Sequence, residues 1–135
     1  MKIGVNSRIY QSENTGVPYY IECLYNKLLE IDQANGYVFF QTQRNKTIDK
    51  TKTINLPKNY FSAFLFDNFL INKLISKEKI DIFHGPAHIL PFFKKNNVKY
   101  ILTIHDLSFL IFRKNESTLF NMYYKYALPR SLKNA

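Results

Sequence analysis

A single α/β domain, with a parallel sheet covered by helices on both faces, is the fold this sequence predicts. Three observations carry the expectation. Strand-like and helix-like periods alternate along the chain, a late strand is apolar at nearly every position, and the unusual polar residues cluster just after the strands. Read from the amino end, the order is strand, helix, strand, small strand, helix, strand, strand, helix. Parallel strands joined through helices are the arrangement that such an alternation supports.

Each element has its own signal. Residues 2–6 alternate and are β-branched, which predicts a first strand, and residues 7–16 are polar and turn-rich, a loop. Tyr20, Leu24, Leu28 and Ile31 then recur at helical spacing, and Asn35-Gly36 reads as the stop of that helix. Cys23 falls within it and is expected to be a buried small residue. Residues 37–41 form a short aromatic strand, and residues 45–52 a polar loop leading to a small strand at 53–56. A second helix is predicted over 64–77, with Phe66, Leu70 and Leu74 on one side. Residues 80–83 make a compact strand ended by Gly85-Pro86, and residues 98–104 a strand apolar enough to be covered on both faces. The last helix spans 118–132, interrupted near its end by Pro129.

The bulk properties set the class. A chain of 135 residues fits one domain with a core of its own, and 46% hydrophobic with 21% charged residues describes a folded protein rather than a disordered one. The chain reaches Lys133-Asn134-Ala135 where a further strand is expected, so the domain over 1–135 is read as incomplete at its carboxyl end. The one cysteine excludes an intramolecular disulfide, and neither a signal peptide nor a membrane span is legible. The expectation is a cytoplasmic protein, with the inner face of the membrane open to it. A net charge of +9 favours anionic company. Because the lysines are scattered and no basic residues interleave with a stacking face, nucleic acid is not expected as a partner. A solvated basic surface and peripheral membrane contact are the readings that remain.

Ligands of open α/β sheets gather beyond the carboxyl ends of the strands. Three segments lie there: residues 6–17, residues 84–88 (His84-Gly85-Pro86-Ala87-His88) and residues 105–108. Thr15 can cap the helix that follows, and Gly16 can let a diphosphate approach the backbone, although Pro18 deletes one donor. An ordinary capped helix start explains the same residues. His84 and His88 stand four apart, but Gly85 and Pro86 between them forbid the continuous helix a metal pair would need, so no metal is expected. His105 can hydrogen-bond a sugar hydroxyl or a phosphate oxygen, and Asp106 can accept from sugar hydroxyls. A histidine closing a strand and a carboxylate capping a turn account for them equally well.

In order along the chain, Met1-Lys2-Ile3-Gly4-Val5-Asn6-Ser7-Arg8, Thr15-Gly16-Val17, Asp81-Ile82-Phe83-His84-Gly85-Pro86 and Thr103-Ile104-His105-Asp106-Leu107-Ser108-Phe109 resemble successive blocks of glycosyltransferase family 4 (group 1). The tail, Leu128-Pro129-Arg130-Ser131-Leu132-Lys133-Asn134-Ala135, resembles the helix before that family's next strand. The resemblance implies the amino-terminal, acceptor-side, Rossmann-like domain of a GT-B enzyme. It implies a nucleotide-sugar donor as co-substrate, no metal or other cofactor, and a glycan or lipid-linked acceptor. It also implies a partner, the carboxy-terminal GT-B domain that holds the donor. His105 would lie beside the transferred sugar as the catalytic position. Arg8, Thr15, Gly16, Val17, His84, Gly85 and Asp106 would line the donor and acceptor sides of the cleft. Pro18 and Tyr19 depart from the pattern, since many relatives carry a further glycine and a basic residue there. A sugar- or acceptor-binding remnant of such an enzyme, without transfer, is the alternative.

Overall fold

A computed structural model describes residues 1–8, 16–41, 52–55, 69–107 and 118–135. It contains strands β1 (Lys2–Asn6), β2 (Gly36–Gln41), β3 (Lys52–Asn55), β4 (Ile82–Gly85) and β5 (Lys99–Leu102), with helices α1 (Gly16–Ile31), α2 (Ile71–Lys77) and α3 (Thr118–Asn134). The strands form one sheet in the order β3-β2-β1-β4-β5, and every pairing is parallel. This is a Rossmann-like α/β fold. The chain winds outward from β1 through β2 to β3, then crosses back to pair β4 with the opposite side of β1. Such a reversal leaves a crevice between the carboxyl ends of β1 and β4.

The alternating strand residues divide the core into two layers. Val5, Tyr37 and Phe39 are buried with Ile21 and Tyr25 of α1 on one face of the sheet. Val38, Phe40, Phe83 and Tyr100 are buried with Ile71 and Ile75 of α2 on the other. The period of two along β2 therefore feeds both layers. Helices do cover both faces, as the sequence predicts. At the amino edge the ladder is closed by Asp81, whose carboxylate accepts from the Lys2 backbone N–H at 2.7 Å. Its own N–H donates to the Lys2 carbonyl at 2.9 Å. With the Asp81 side chain bound to the ladder's first N–H, regular pairing starts at Ile82, and β4 runs two residues later than the sequence reading.

Several boundaries move for identifiable reasons. Helix α1 stops at Ile31 because Asp32, not Asn35-Gly36, ends it. The Asp32 carboxylate accepts from the N–H groups of Ala34 and Asn35, from the Asn35 side chain and from the Tyr37 hydroxyl. Gly36 already belongs to β2. The buried stripe of α1 centres on Ile21 and Tyr25, so Ile31 is exposed, and Cys23, on the opposite side, is exposed rather than buried. In α2 the inward positions are Ile71 and Ile75, one residue on from the predicted Leu70 and Leu74, and Leu70 is exposed. Residues 64–68 of that predicted helix and 45–51 of the predicted loop at 45–52 lie outside the described residues, while Lys52 already belongs to β3, which corresponds to the small strand predicted at 53–56. Strand β5 is an edge with Ile101 and Ile104 exposed, and so is not covered on both faces. Pro129 sits inside α3 without ending it.

The last turns of α3 dock by hydrogen bonds. Ser131 is fully buried, and its hydroxyl accepts from the Leu90 N–H at 2.9 Å. Asn134 donates to the Pro91 carbonyl at 2.7 Å. These bonds satisfy backbone groups of the β4–β5 connection that burial would otherwise leave unpaired. Among the described residues, no helix is long and apolar enough to cross a membrane.

Candidate functional site at the sheet switch point

The crevice is bounded by the residues that follow β1, β4 and β5 and by the first turns of α1. Pairing of Val5 with His84 in the β1–β4 ladder sets its floor. Gly85 makes the next step. A Cβ on it would lie 2.4 Å from the Ile89 carbonyl oxygen and 2.9 Å from Leu90 Cδ2. Only glycine lets the chain fold back so closely, and the return brings residues 86–88 over the end of β5. There Thr103 N–H donates to the Gly85 carbonyl, and His88 N–H to the Thr103 carbonyl. His88 completes the turn with a φ of 62°, in the left-handed region.

His105 stands at the rim, exposed. Its Nε2–H donates to the Pro86 carbonyl at 2.7 Å, since a carbonyl can only accept. The bond fixes the tautomer of the neutral ring and leaves Nδ1 as its acceptor position. The ring is also held by its neighbours: Tyr20 of α1 meets it edge to face at 4.8 Å between centroids, and His88 at 5.7 Å. Tyr124 of α3 meets His88 edge to face at 6.3 Å. Rings from α1, the β4–β5 connection, the segment after β5 and α3 thus converge on one place.

From the rim a polar chain runs inward, half-buried at Tyr20 and Thr103 and buried at His84 and Tyr25. The Tyr20 hydroxyl bonds the Thr103 hydroxyl at 3.2 Å, Thr103 bonds His84 Nε2 at 2.8 Å, and His84 Nδ1 bonds the Tyr25 hydroxyl. A neutral imidazole offers one N–H and one acceptor, so the two bonds to His84 run in a single sense along the chain. Burial, reinforced by the nearby His105, pushes His84 down to about 4, which keeps its ring neutral. Burial also raises the Tyr25 hydroxyl far above its ordinary range, so it stays protonated. His88 is lowered by burial and by His105, with Asp106 pulling the other way.

The residues expected at the site separate into distinct roles. His105 and Asp106 are exposed beyond β5, and Arg8 is half-buried in the turn after β1. His84 is only 5% exposed with both ring nitrogens already bonded, so it braces the rim from behind instead of lining the cleft. Gly85 is buried under the Ile89 backbone, and that close packing by itself requires glycine here. Val17 is half-buried and packs against the α1 core layer. Gly16 opens α1 at a φ of 63°, and a Cβ there would meet nothing within 4 Å. Backbone conformation, not crowding, is what requires glycine at this position. Thr15, the expected cap, lies outside the described residues, as does Ser108.

Tyr20 and Tyr124 lie outside every resemblance block, and Thr103, although it opens the last of those blocks, was not singled out as a site residue. The signals that could have found them are the place of Tyr20 one helical turn beyond Gly16 and the place of Thr103 two residues before His105; Tyr124 had none. Among the described residues, no group of three or more His, Cys, Asp and Glu side chains could hold a metal ion. In comparisons with known proteins, the chain matches no family model, no curated protein and no solved structure.

Proposed function

We propose that this chain is the acceptor-side domain of a GT-B-type glycosyltransferase, working with a nucleotide-sugar donor and a saccharide or lipid-linked acceptor. One observation supports the reading: His105, from one block of the family resemblance, meets Tyr20, which lies one helical turn beyond Gly16 of another block, so that the two segments share one rim. That rim lies at the switch point of the sheet, where α/β folds bind ligands. Sugar recognition calls for aromatic surface beside groups that exchange hydrogen bonds with hydroxyls, and Tyr20, His88 and His105 with Asp106 provide both.

The chemistry assigns His105 a limited part. With Nε2–H committed to the Pro86 carbonyl, the neutral ring accepts a hydrogen bond from a sugar hydroxyl through Nδ1. It donates to a phosphate oxygen only when Nδ1 is also protonated. Positioning the acceptor hydroxyl is therefore its first role. Transfer further requires the donor to be held opposite, in a crevice that excludes water. In the enzymes this chain resembles, a second Rossmann-like domain does so, and that domain is the partner proposed here. No metal or other cofactor is included in the scheme.

A titration of the chain with mono- and disaccharides tests the binding half, following the ring resonances of its three histidines. His105 and His88 should shift together while His84, buried behind them, stays in place. Saccharide binding that leaves His105 unmoved would refute the assignment. Supplying a donor-binding GT-B domain and nucleotide-sugars tests the second half. Transfer lowered by His105→Ala supports the enzyme, and binding without transfer supports a non-catalytic remnant.

A further inference from the structure

On the α2 side of the sheet, away from the His105 rim, large apolar side chains gather at the surface. Phe69, Leu70, Phe92 and Phe93 are 56%, 40%, 39% and 50% exposed. They come from two parts of the chain that the fold fastens together. Asn72 of α2 donates its side-chain N–H to the Phe93 carbonyl at 2.9 Å, and Arg130 of α3 donates to the Phe92 carbonyl at 3.1 Å. The rings touch in sequence, Phe69 against Phe93 at 6.1 Å and Phe93 against Phe92 at 5.1 Å. Phe69 and Phe93, with Asn72, Lys94 and Lys95, line an open depression of about 360 Å³.

Among the described residues, the segments that carry these rings bring charge of one sign. Residues 69–77 and 91–97 include Lys73, Lys77, Lys94 and Lys95 and no acidic residue. Arg130 adds a further cation, 5.1 Å from the centre of the Phe92 ring. Exposed rings ringed by lysines suit a surface that is apolar a few ångströms below a layer of negative charge. We infer that this patch docks the protein onto an anionic phospholipid bilayer, the phenylalanine rings entering the interface and the lysines facing the headgroups.

Other occupants fit less well. A second copy of a chain with net charge +9 would bring like charges together. Nucleic acid would need open aromatic faces for base stacking, whereas Phe92 and Phe93 stand at 74° to one another, the edge of one ring against the face of the other, and the Arg130 guanidinium lies over Phe92. The surface needs nothing from the His105 rim, so docking and sugar binding can fail independently.

The chain contains no tryptophan, which makes Phe93→Trp a single optical reporter. With vesicles of mixed phosphatidylglycerol and phosphatidylcholine, its emission should shift to the blue and be quenched by brominated acyl chains. Vesicles of phosphatidylcholine alone should give little change. Co-sedimentation of the unmodified chain should weaken as salt is raised. Lys94→Gln with Lys95→Gln should weaken it by roughly tenfold or more, since each lysine at an anionic surface contributes about fivefold. Phe69→Ser with Phe93→Ser should abolish it while leaving the circular dichroism unchanged, because both rings are already exposed. Equal binding to the two vesicle types, or no loss in either double variant, would overturn the proposal. A blue shift that depends on protein concentration and not on lipid would overturn it in favour of self-association.

Discussion

The ring edge of Tyr20 lies against His105 at 4.8 Å while its hydroxyl bonds Thr103 at 3.2 Å, so one side chain of α1 touches both the exposed imidazole and the polar chain that runs inward behind it. The two contacts can be separated. Tyr20→Phe keeps the ring contact and removes the hydroxyl, whereas Tyr20→Ala removes both. An aromatic contact of this kind contributes about 0.5–1.5 kcal/mol. Tyr20→Ala is expected to shift the His105 ring resonances and to lower sugar affinity several-fold, with Tyr20→Phe close to the unmodified chain. Equal effects from the two substitutions would mean that the Thr103 bond, not the ring, positions His105.

His84 should give the protein a specific acid sensitivity. Its folded-state pKa is lowered from 6.5 to about 4, chiefly by burial. Above 6.5 neither folded nor unfolded chain holds the proton, and the stabilisation is complete. As pH falls below 6.5 the unfolded chain takes the proton first, and stability declines until about 4. The Tm measured by circular dichroism should therefore drop across that window, and His84→Gln should flatten the slope there. Asp32, held at about 2 by hydrogen bonds from Tyr37 and then Asn35, acts in a separate window, its stabilisation being lost between 3.8 and about 2. Asp32→Asn should leave the higher window untouched.

The glycines at 16 and 85 should fail differently when a methyl group is added. Gly85→Ala drives Cβ into the Ile89 carbonyl, a clash that backbone movement alone can relieve. A loss of about 2–3 kcal/mol is expected in urea unfolding. Gly16→Ala meets no atom but keeps a left-handed φ, which costs an L-residue roughly 1–2 kcal/mol. Gly16→Asn should recover part of that loss. A larger loss at Gly16 than at Gly85 would contradict these environments.

Lys79 offers a stabilising change. It follows α2 with a φ of 53°, and the turn closes through Lys79 N–H to the Ser76 carbonyl and Ile80 N–H to the Ile75 carbonyl. This is a helix-ending conformation that glycine adopts without strain. Lys79→Gly should raise the unfolding free energy by up to about 1 kcal/mol, read as a higher urea midpoint at unchanged slope.

How much of this was legible in the sequence depends on the length scale of each signal. The element order and the use of both faces of β2 could be read directly, because periods of two and of three to four residues are local properties. Register within a helix was harder. In α1 the inward residues Ile21 and Tyr25 lie one position beyond the predicted Tyr20 and Leu24, and this one-residue rotation is what turns Tyr20 towards the rim and Cys23 to solvent. Amphipathic spacing defines a broad stripe, and the neighbouring sheet selects its centre. The stop at Asp32 was missed for a related reason: a carboxylate accepting four hydrogen bonds leaves no composition signal as plain as Asn-Gly.

By itself the sequence determined an alternating α/β chain with its unusual polar residues after the strands, since hydrophobic periodicity and glycine placement act over a few residues, while His105 stood out through the family resemblance and not through those local patterns. Only the tertiary structure decided that His84 is a neutral, buried brace, that Gly85 serves the Ile89 backbone, and that Tyr20, His88 and Tyr124 share the rim. It also gathered Phe69 and Phe93, distant in sequence, into one exposed patch. Those facts depend on which segments the crossovers of the sheet bring together, and contacts between distant segments are set by the packing of the whole domain.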